Sequence, residues 1–365
     1  MSEIAAERTT NADVALVGAG PIGIELAVAL KRAGLDYVHF EARQIGHTIS
    51  CWPPETHFFS SPERIAIAGV PIQTADQRHP TGEEYLAYLR SVVLQFDLEI
   101  NTYERVLTLA PSGGGFRLRT ATRRGERTWH CRRVVLATGG LAGPRRLGIP
   151  GEDLAHVAHT FRGPHMYFRR RLLVVGGRNS AVEAALRCWH TAADVTVSYR
   201  RREFDAEIVK PHILKEFAMR VRDGQIAVLP GTVPVEITPE AVLLAPADAE
   251  GRPADGPRHS QPADFVLLCT GFEADLSLME QAGVELLGEE RAPVFSRQTM
   301  ETNVPGLYVV GTAVGGSQRQ FKVFIENSHR HVAKVVAALT GEVSAGEPDS
   351  PASPPGRVEE LSEEW

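Results

Sequence analysis

A strand that runs into Gly18-Ala19-Gly20-Pro21-Ile22-Gly23 and straight on into a helix leaves this chain few folds to choose from. The apolar run at 14–17 predicts a strand. The run to Arg32 predicts a helix closed by Gly34, and residues 37–40 predict a second strand ending at Glu41. Together they make one βαβ unit with GxGxxG in its first turn and an acid 18 residues past the third glycine. The glycines permit a tight turn and let backbone N–H groups approach a pyrophosphate at the helix N-terminus. A carboxylate closing the second strand accepts hydrogen bonds from ribose hydroxyls. Helix–strand packing alone can favour glycine, so the motif draws its weight from having strand, helix and acid in register.

A second unit starts at Leu172. The strand 172–175 enters Gly176-Gly177-Arg178-Asn179-Ser180-Ala181, a helix is expected through His190, and a strand over 195–199 ends in Arg200-Arg201-Arg202. Arginines there suit a 2′-phosphate, whereas an acid suits a free 2′-OH, so NADPH is favoured over NADH. Against this, Arg178 replaces the middle glycine and would crowd a pyrophosphate, and a basic run can also be a solvated turn.

Two dinucleotide units in one chain suggest FAD plus a nicotinamide nucleotide. Apolar strands ending in Thr138-Gly139 and Thr270-Gly271 fit that reading, since glycine there lets backbone pass close to another segment or a cofactor. A further strand over 307–310 runs into Gly311-Thr312, and a helix is expected over 321–339. The expected fold is α/β, with two Rossmann-like dinucleotide-binding domains, one inserted into the other. Residues 1–155 and 262–340 would form the discontinuous FAD-binding domain and 156–261 the NADPH-binding domain. Residues 245–262 read as a flexible loop, and the acidic, Pro-rich residues 341–365 as a disordered tail.

Composition narrows the partners. The net charge is −6, and residues 341–365 hold seven acids against one arginine, so residues 1–340 are neutral overall. A neutral body argues against nucleic-acid binding. No apolar run reaches the roughly 18 residues of a membrane span, and the first residues are polar rather than signal-like. Cys51, Cys131, Cys188 and Cys269 form neither a CxxC pair nor a zinc spacing, so no metal is expected and a cytoplasmic setting is.

The architecture resembles the thioredoxin-reductase-like flavoproteins, in which an NADPH domain interrupts an FAD domain. One branch is closer. Cys51-Trp52-Pro53-Pro54-Glu55-Thr56-His57-Phe58-Phe59-Ser60-Ser61, the strings HTFRGPHMYF at 159–168 and GGRNSAVEAAL at 176–186, Lys210-Pro211 and Phe324-Ile325-Glu326-Asn327 are similar to segments of the YpdA family. These are the bacillithiol disulfide (bacilliredoxin) reductases, and the likeness runs from about residue 12 to 339. The resemblance implies FAD bound by Gly18, Gly20, Pro21, Ile22, Gly23, Glu41, Ala42, His47, Thr48, Trp52, Val106, Ala137, Thr138, Gly139, Gly311 and Thr312. It implies NADPH at Gly176, Gly177, Arg178, Asn179, Ser180, Ala181, Arg200, Arg201, Arg202 and Gly271, with the basic residue at 178 belonging to the family pattern. The implied activity is hydride transfer from NADPH to flavin and then reduction of a low-molecular-weight disulfide, by a homo-oligomer, with a homodimer expected.

Two departures keep the electron acceptor open. The stretch around 159–162, where thioredoxin reductases carry their redox CxxC, holds no cysteine, and Ile22 stands where the bacillithiol reductases carry a cysteine in the first glycine turn. Cys51 could serve instead, activated by His47 or His57, although an unpaired cysteine is more commonly a small buried residue. Cys131, Cys188 and Cys269 read as structural. His329, His331, Glu326 and Asn327 are candidates for proton donation or for contact with the flavin. Three functions follow: a disulfide reductase, a reductase of a small ferredoxin- or flavodoxin-type carrier protein, or a nucleotide-binding redox sensor without turnover.

Overall fold

The structure, a computed structural model, describes residues 9–319 and 322–342. The chain divides into two compact units. One contains the chain up to Cys51, Glu55–Gly143 and the chain from Phe272 on; the other contains Trp52–Pro54 and Pro144–Gly271.

The first unit opens with β1 (Thr9–Val17), α1 (Pro21–Arg32), β2 (Tyr37–Glu41), α2 (His47–Ser50) and α3 (Gly82–Gln95). Then follow β3 (Asn101–Thr102), β4 (Arg105–Ser112), β5 (Gly115–Thr122) and β6 (Gly125–Leu136). β1 lies parallel between β2 and β6. Its residues Val14, Ala15 and Leu16 are fully buried, as expected of a central parallel strand covered on both faces. Pro21, at the helix start, costs no intrahelical hydrogen bond there and presets φ. At the other end Gly34 takes φ +67, Leu35 N–H reaches Leu30 O at 3.1 Å and Gly34 N–H reaches Lys31 O, so the helix stops in a Schellman turn. Ile24, Leu26 and Leu30 of α1 are fully buried, each contributing about 1.5–3 kcal/mol of burial free energy.

The inserted unit carries β7 (Val157–Ala158), β8 (Arg171–Val175), α4 (Asn179–His190), β9 (Asp194–Tyr199), α5 (Pro211–Arg222) and β10 (Ala227–Pro230). β11 (Thr232–Ile237), β12 (Ala241–Pro246), β13 (His259–Pro262) and β14 (Phe265–Leu268) complete it. Its parallel sheet runs β10-β9-β8-β14-β7, while β11, β12 and β13 form an antiparallel sheet. Strand alternation divides the core: Leu172, Val174 and Leu267 face a cluster with Ala184, Val182 and Phe217, while Leu173, Val175, Val266 and Leu268 pack with Ile237, Val242 and Leu244.

The chain then returns to the first unit through β15 (Leu307–Val309) and α6 (His329–Thr340). One edge of β6 serves two partners in turn. It pairs antiparallel with β5 up to Cys131 and parallel with β15 from Val134 to Leu136.

Three expectations need correction. The inserted unit begins at Pro144 rather than 156 and ends at Gly271 rather than 261. Ile149 and Leu154 pack into its core, and β14 pairs with β8, so both flanks belong to it. The last helix starts at His329, not 321. Asn327 ties the preceding turn by accepting from Phe324 N–H at 2.8 Å and donating to Lys322 O at 2.8 Å, which competes with helix. Residues 245–262 are not one loop, because β13 pairs with β12, Ala254 N–H reaches Pro246 O and the Asp248 carboxylate accepts from Arg252 N–H at 2.7 Å. The tail expected at 341–365 lies, beyond residue 342, outside the described residues. Among the described residues no helix is long and apolar enough to cross a membrane.

Candidate functional site

The first glycine turn is built by close approach of backbone. Gly18, at φ +104, would place a Cβ 2.5 Å from Ala137 O, and a Cβ on Gly23 would overlap Gly18 O. Gly20 differs: nothing lies within 4 Å of where its Cβ would stand, so the helix start is open to an incoming phosphate. No side chain caps α1, which leaves its first amides for that phosphate. Glu41 at the end of β2 accepts from Ala19 N–H and Arg43 N–H, both at 2.8 Å. Each carboxylate oxygen keeps a lone pair for ribose. The residues present therefore fit a dinucleotide such as FAD.

Other strand ends bring further expected residues to this turn. Ala137 N–H bonds Val17 O, and Gly139, at φ +76, leads to Gly140 N–H, which donates to Thr312 Oγ1 at 3.1 Å. Gly311 lies against Ile22, with a built Cβ 3.4 Å from the Ile22 Cβ. Ile22 is buried, so an apolar contact occupies the position where a thiol was sought. Gly46 N–H holds Ala19 O at 2.9 Å and starts α2, which places His47 and Thr48 beside the turn. Ala42 directly follows β2, and Val106 is buried on β4. Trp52 falls with the inserted unit rather than with these residues.

Two histidines brace it: His39, which the sequence-based reading lacked, and His331, which it offered as a proton donor. His39 on β2 is fully buried, and its Nε2 donates to Gly18 O at 2.9 Å. Burial pushes this imidazole down to about 4, against the pull of that hydrogen bond, so the ring is neutral. His331 Nδ1 accepts from Gly311 N–H at 3.2 Å. Burial first, and then the cations Lys334 and Arg330, push it down to about 3. A polar residue in the otherwise apolar strand Tyr37-Val38-His39-Phe40 was the available signal for His39, because a buried polar group needs a partner.

His329 and Asn327 have partners within the fold. His329 Nδ1 meets Glu25 Oε2 at 2.7 Å and Nε2 meets Arg64 O at 3.0 Å, tying α6 to α1. Burial opposes its charge, yet the Glu25 contacts raise its pKa overall. The Asn327 amide is spent on its own turn, and Glu326 sits 3.6 Å from Arg64 Nε.

Cys51 ends α2 and is exposed, its Sγ 3.7 Å from His47 Nε2. The burial expected beside Trp52 is therefore wrong: the α2 C-cap turns this side chain outward. The other thiols are inert by contrast. Burial pushes Cys131, Cys188 and Cys269 each up to about 12.

The second glycine turn has its own sterics. Gly176, at φ +142, would put a Cβ 2.7 Å from Cys269 O, and a Cβ on Gly177 would overlap the Tyr199 ring. Arg178 is the N-cap of α4 with extended backbone, and it is half-buried. Ser180 and Ala181 follow in the first turn of that helix, Ser180 exposed and Ala181 buried. Burial, then Arg200 and Arg201, and also Arg145, lower the Arg178 pKa. Such crowding of cations calls for an anion, and the chemistry fits the phosphates of NADPH. Arg200 packs its stem on Gly251, 2.5 Å from a built Cβ. Arg201 is paired with Asp205 at 3.5 Å, and Arg202 is exposed. Asn179 faces another task, donating to Ile208 O and accepting from Lys210 N–H, both at 2.9 Å. Among the described residues no group of three or more His, Cys, Asp or Glu side chains could hold a metal.

Residues 15–311 match the pyridine nucleotide-disulphide oxidoreductase family. Over 324 residues the chain is 33% identical to the bacilliredoxin reductase Bdr of Bacillus subtilis (strain 168), covering 89% of this chain and 96% of that protein. A ferredoxin–NADP reductase of Ignicoccus hospitalis is 28% identical over 315 residues, 84% of this chain and 92% of that one. The solved bacillithiol disulfide reductase Bdr (YpdA) from Bacillus cereus superposes with a TM-score of 0.85 at 32% identity, covering 92% of this chain and all of that one.

Proposed function

The chain belongs to the pyridine nucleotide-disulphide oxidoreductase family, in its bacilliredoxin-reductase (YpdA) branch, and we propose that it spends NADPH to reduce a low-molecular-weight disulfide of the bacillithiol type. It is an FAD- and NADPH-dependent oxidoreductase. The balance is NADPH + H⁺ + RSSR → NADP⁺ + 2 RSH, and bound FAD would supply the two-electron relay between the two halves. The observation that carries the reading is the pair of glycine turns, one closed by Glu41 and one ringed by arginines, in a chain one third identical to a named bacilliredoxin reductase.

The residues divide the work. Gly18, Gly20 and Gly23 hold the FAD pyrophosphate on α1, Glu41 its ribose, and Arg178, Arg200 and Arg201 the NADPH phosphates. Cys51 is the thiol assigned to the disulfide: it is exposed and near His47, while the other three are buried or raised beyond reactivity. Its thiolate attacks one sulfur and the second leaves as RS⁻, which takes up a proton. The two electrons of the one NADPH in that balance, with a proton, would then release the bound half as RSH and restore the thiolate. The working form is an assembly of at least two copies in the cytoplasm.

The test is an anaerobic NADPH titration of the FAD-loaded protein followed by oxidised bacillithiol. Reoxidation of the flavin by the disulfide, lost in Cys51→Ser, is expected. Bleaching by NADPH with no response to the disulfide rejects the reading. The lack of any cysteine pair, together with the ferredoxin–NADP reductase relative, makes a small electron-carrier protein the second acceptor to try.

A further inference from the structure

We propose that Arg145, which lies outside both glycine motifs, grips the nicotinamide-side phosphate of NADPH at the crevice between β8 and β14. The inference rests on the NADPH reading above and names a contact that the motifs do not contain.

In an open parallel sheet, ligands sit beyond the carboxyl ends of the strands, where the strand order reverses. Here β9 and β10 lie to one side of β8, and β14 and β7 to the other, so the reversal falls between β8 and β14. Gly176 just past β8 and Cys269 just past β14 touch there, and Cys269 N–H bonds Val175 O at 2.8 Å. Arg145 is fastened to that edge twice through its backbone. Its N–H donates to Gly271 O at 2.9 Å, and its carbonyl accepts from Thr270 Oγ1 at 2.5 Å. The guanidinium then lies over Gly271, Nη1 3.9 Å from where a Cβ would stand, so Gly271 leaves room for it.

The cations follow the order of the cofactor. Arg200 and Arg201 lie past β9, where a 2′-phosphate is met; Arg178 lies past β8, at the start of α4, where the pyrophosphate is met. One strand further on, about 5 Å away, the end of β14 is the place for the nicotinamide half, and Arg145 is the cation there. It shares the field of Arg178, as the lowered pKa of that guanidinium reflects. An arginine fork suits a phosphate oxygen pair.

The test is titration of the FAD-loaded protein with two ligands. NADP⁺ carries the nicotinamide-side phosphate, whereas 2′,5′-ADP carries only the 2′-phosphate and the adenosine-side phosphate. Arg145→Gln should weaken NADP⁺ about tenfold to a hundredfold and leave 2′,5′-ADP within twofold, and Arg200→Ala should weaken both. Arg145→Lys should recover part of the loss, and an unchanged flavin content and spectrum checks that each variant is folded. Unchanged NADP⁺ affinity in Arg145→Gln, or equal loss of both ligands, overturns the assignment while leaving the NADPH reading intact. A wild-type protein that binds neither ligand overturns both.

Discussion

His39 Nε2 donates to the carbonyl oxygen of Gly18 at 2.9 Å, from a fully buried position one strand away from the turn it supports. The bond locks one tautomer, because only a protonated Nε2 can donate to a carbonyl. It also orients the oxygen against which Gly23 packs. His331 does the complementary job at Gly311, accepting with Nδ1. Both rings are neutral, and their job is to hold backbone.

These two histidines make the protein acid-sensitive. Their folded pKa values lie at about 4 and about 3, below the ordinary 6.5, so the unfolded chain binds more protons between those values. Their stabilisation is present above pH 6.5 and is lost as pH falls through the folded values. Between pH 6 and 4 they add a slope approaching about 2.7 kcal/mol per pH unit. Urea unfolding at pH 7, 6 and 5 measures it, and His331→Gln should flatten the acid limb by about one proton. An unchanged limb would contradict the neutral, buried ring.

The glycines at 20 and 23 separate folding from cofactor binding. Gly23→Ala forces a methyl onto Gly18 O and should destabilise even the apoprotein by about 1–3 kcal/mol or more. Gly20→Ala meets nothing in the folded chain, so the apoprotein should melt within about 1 kcal/mol of wild type while FAD affinity drops. Apoprotein melting and FAD titration read the two effects separately. Wild-type FAD affinity in Gly20→Ala would mean that no phosphate comes close there.

One thiol per chain should react rapidly with a disulfide reagent such as dithionitrobenzoate at pH 8, and four should react in denaturant. Cys51 is the exposed one, and Cys51→Ser should abolish the native signal. Two or more fast thiols would contradict the burial of Cys131 and Cys188 and the raised thiol of Cys269.

The start of α3 offers a purely structural check. Thr81 Oγ1 accepts from Glu84 N–H at 3.2 Å and Glu84 accepts from Thr81 N–H at 2.8 Å, a capping box. Thr81→Ala should cost about 1 kcal/mol. The Arg78 hydrogen bond, and then the Thr81 N–H, pull the Glu84 carboxyl down to about 2, so its contribution is full above the ordinary carboxylate range and fades as pH falls toward 2. Glu84→Gln should therefore lower the melting temperature at pH 7 and do so less at pH 3.

Much of this protein was legible in local order. The turn at 18–23, its Schellman stop at Gly34 and the acid at 41 form within 24 consecutive residues, so the sequence determined the first βαβ unit, and 176–202 determined the second. Patterns of this kind depend on hydrogen bonds and sterics between near neighbours, which spacing records. The insertion was legible too, but its edges were not. Residues 144–155 and 262–271 carry ordinary turn and strand chemistry, and only their packing on Leu173, Val266 and Ile237 assigns them to the inner unit. Tertiary structure alone decided which side chains serve each turn. His39 reaches Gly18 across two paired strands, His331 reaches Gly311 from the last helix, and Arg145 reaches Gly271 from 126 residues upstream in sequence. It also decided that Cys51 faces outward and that Asn179 is spent on Lys210. A partner distant along the chain leaves no periodicity behind. Its identity is fixed by the register of strands and the direction of a helix, and those exist only once the core has closed.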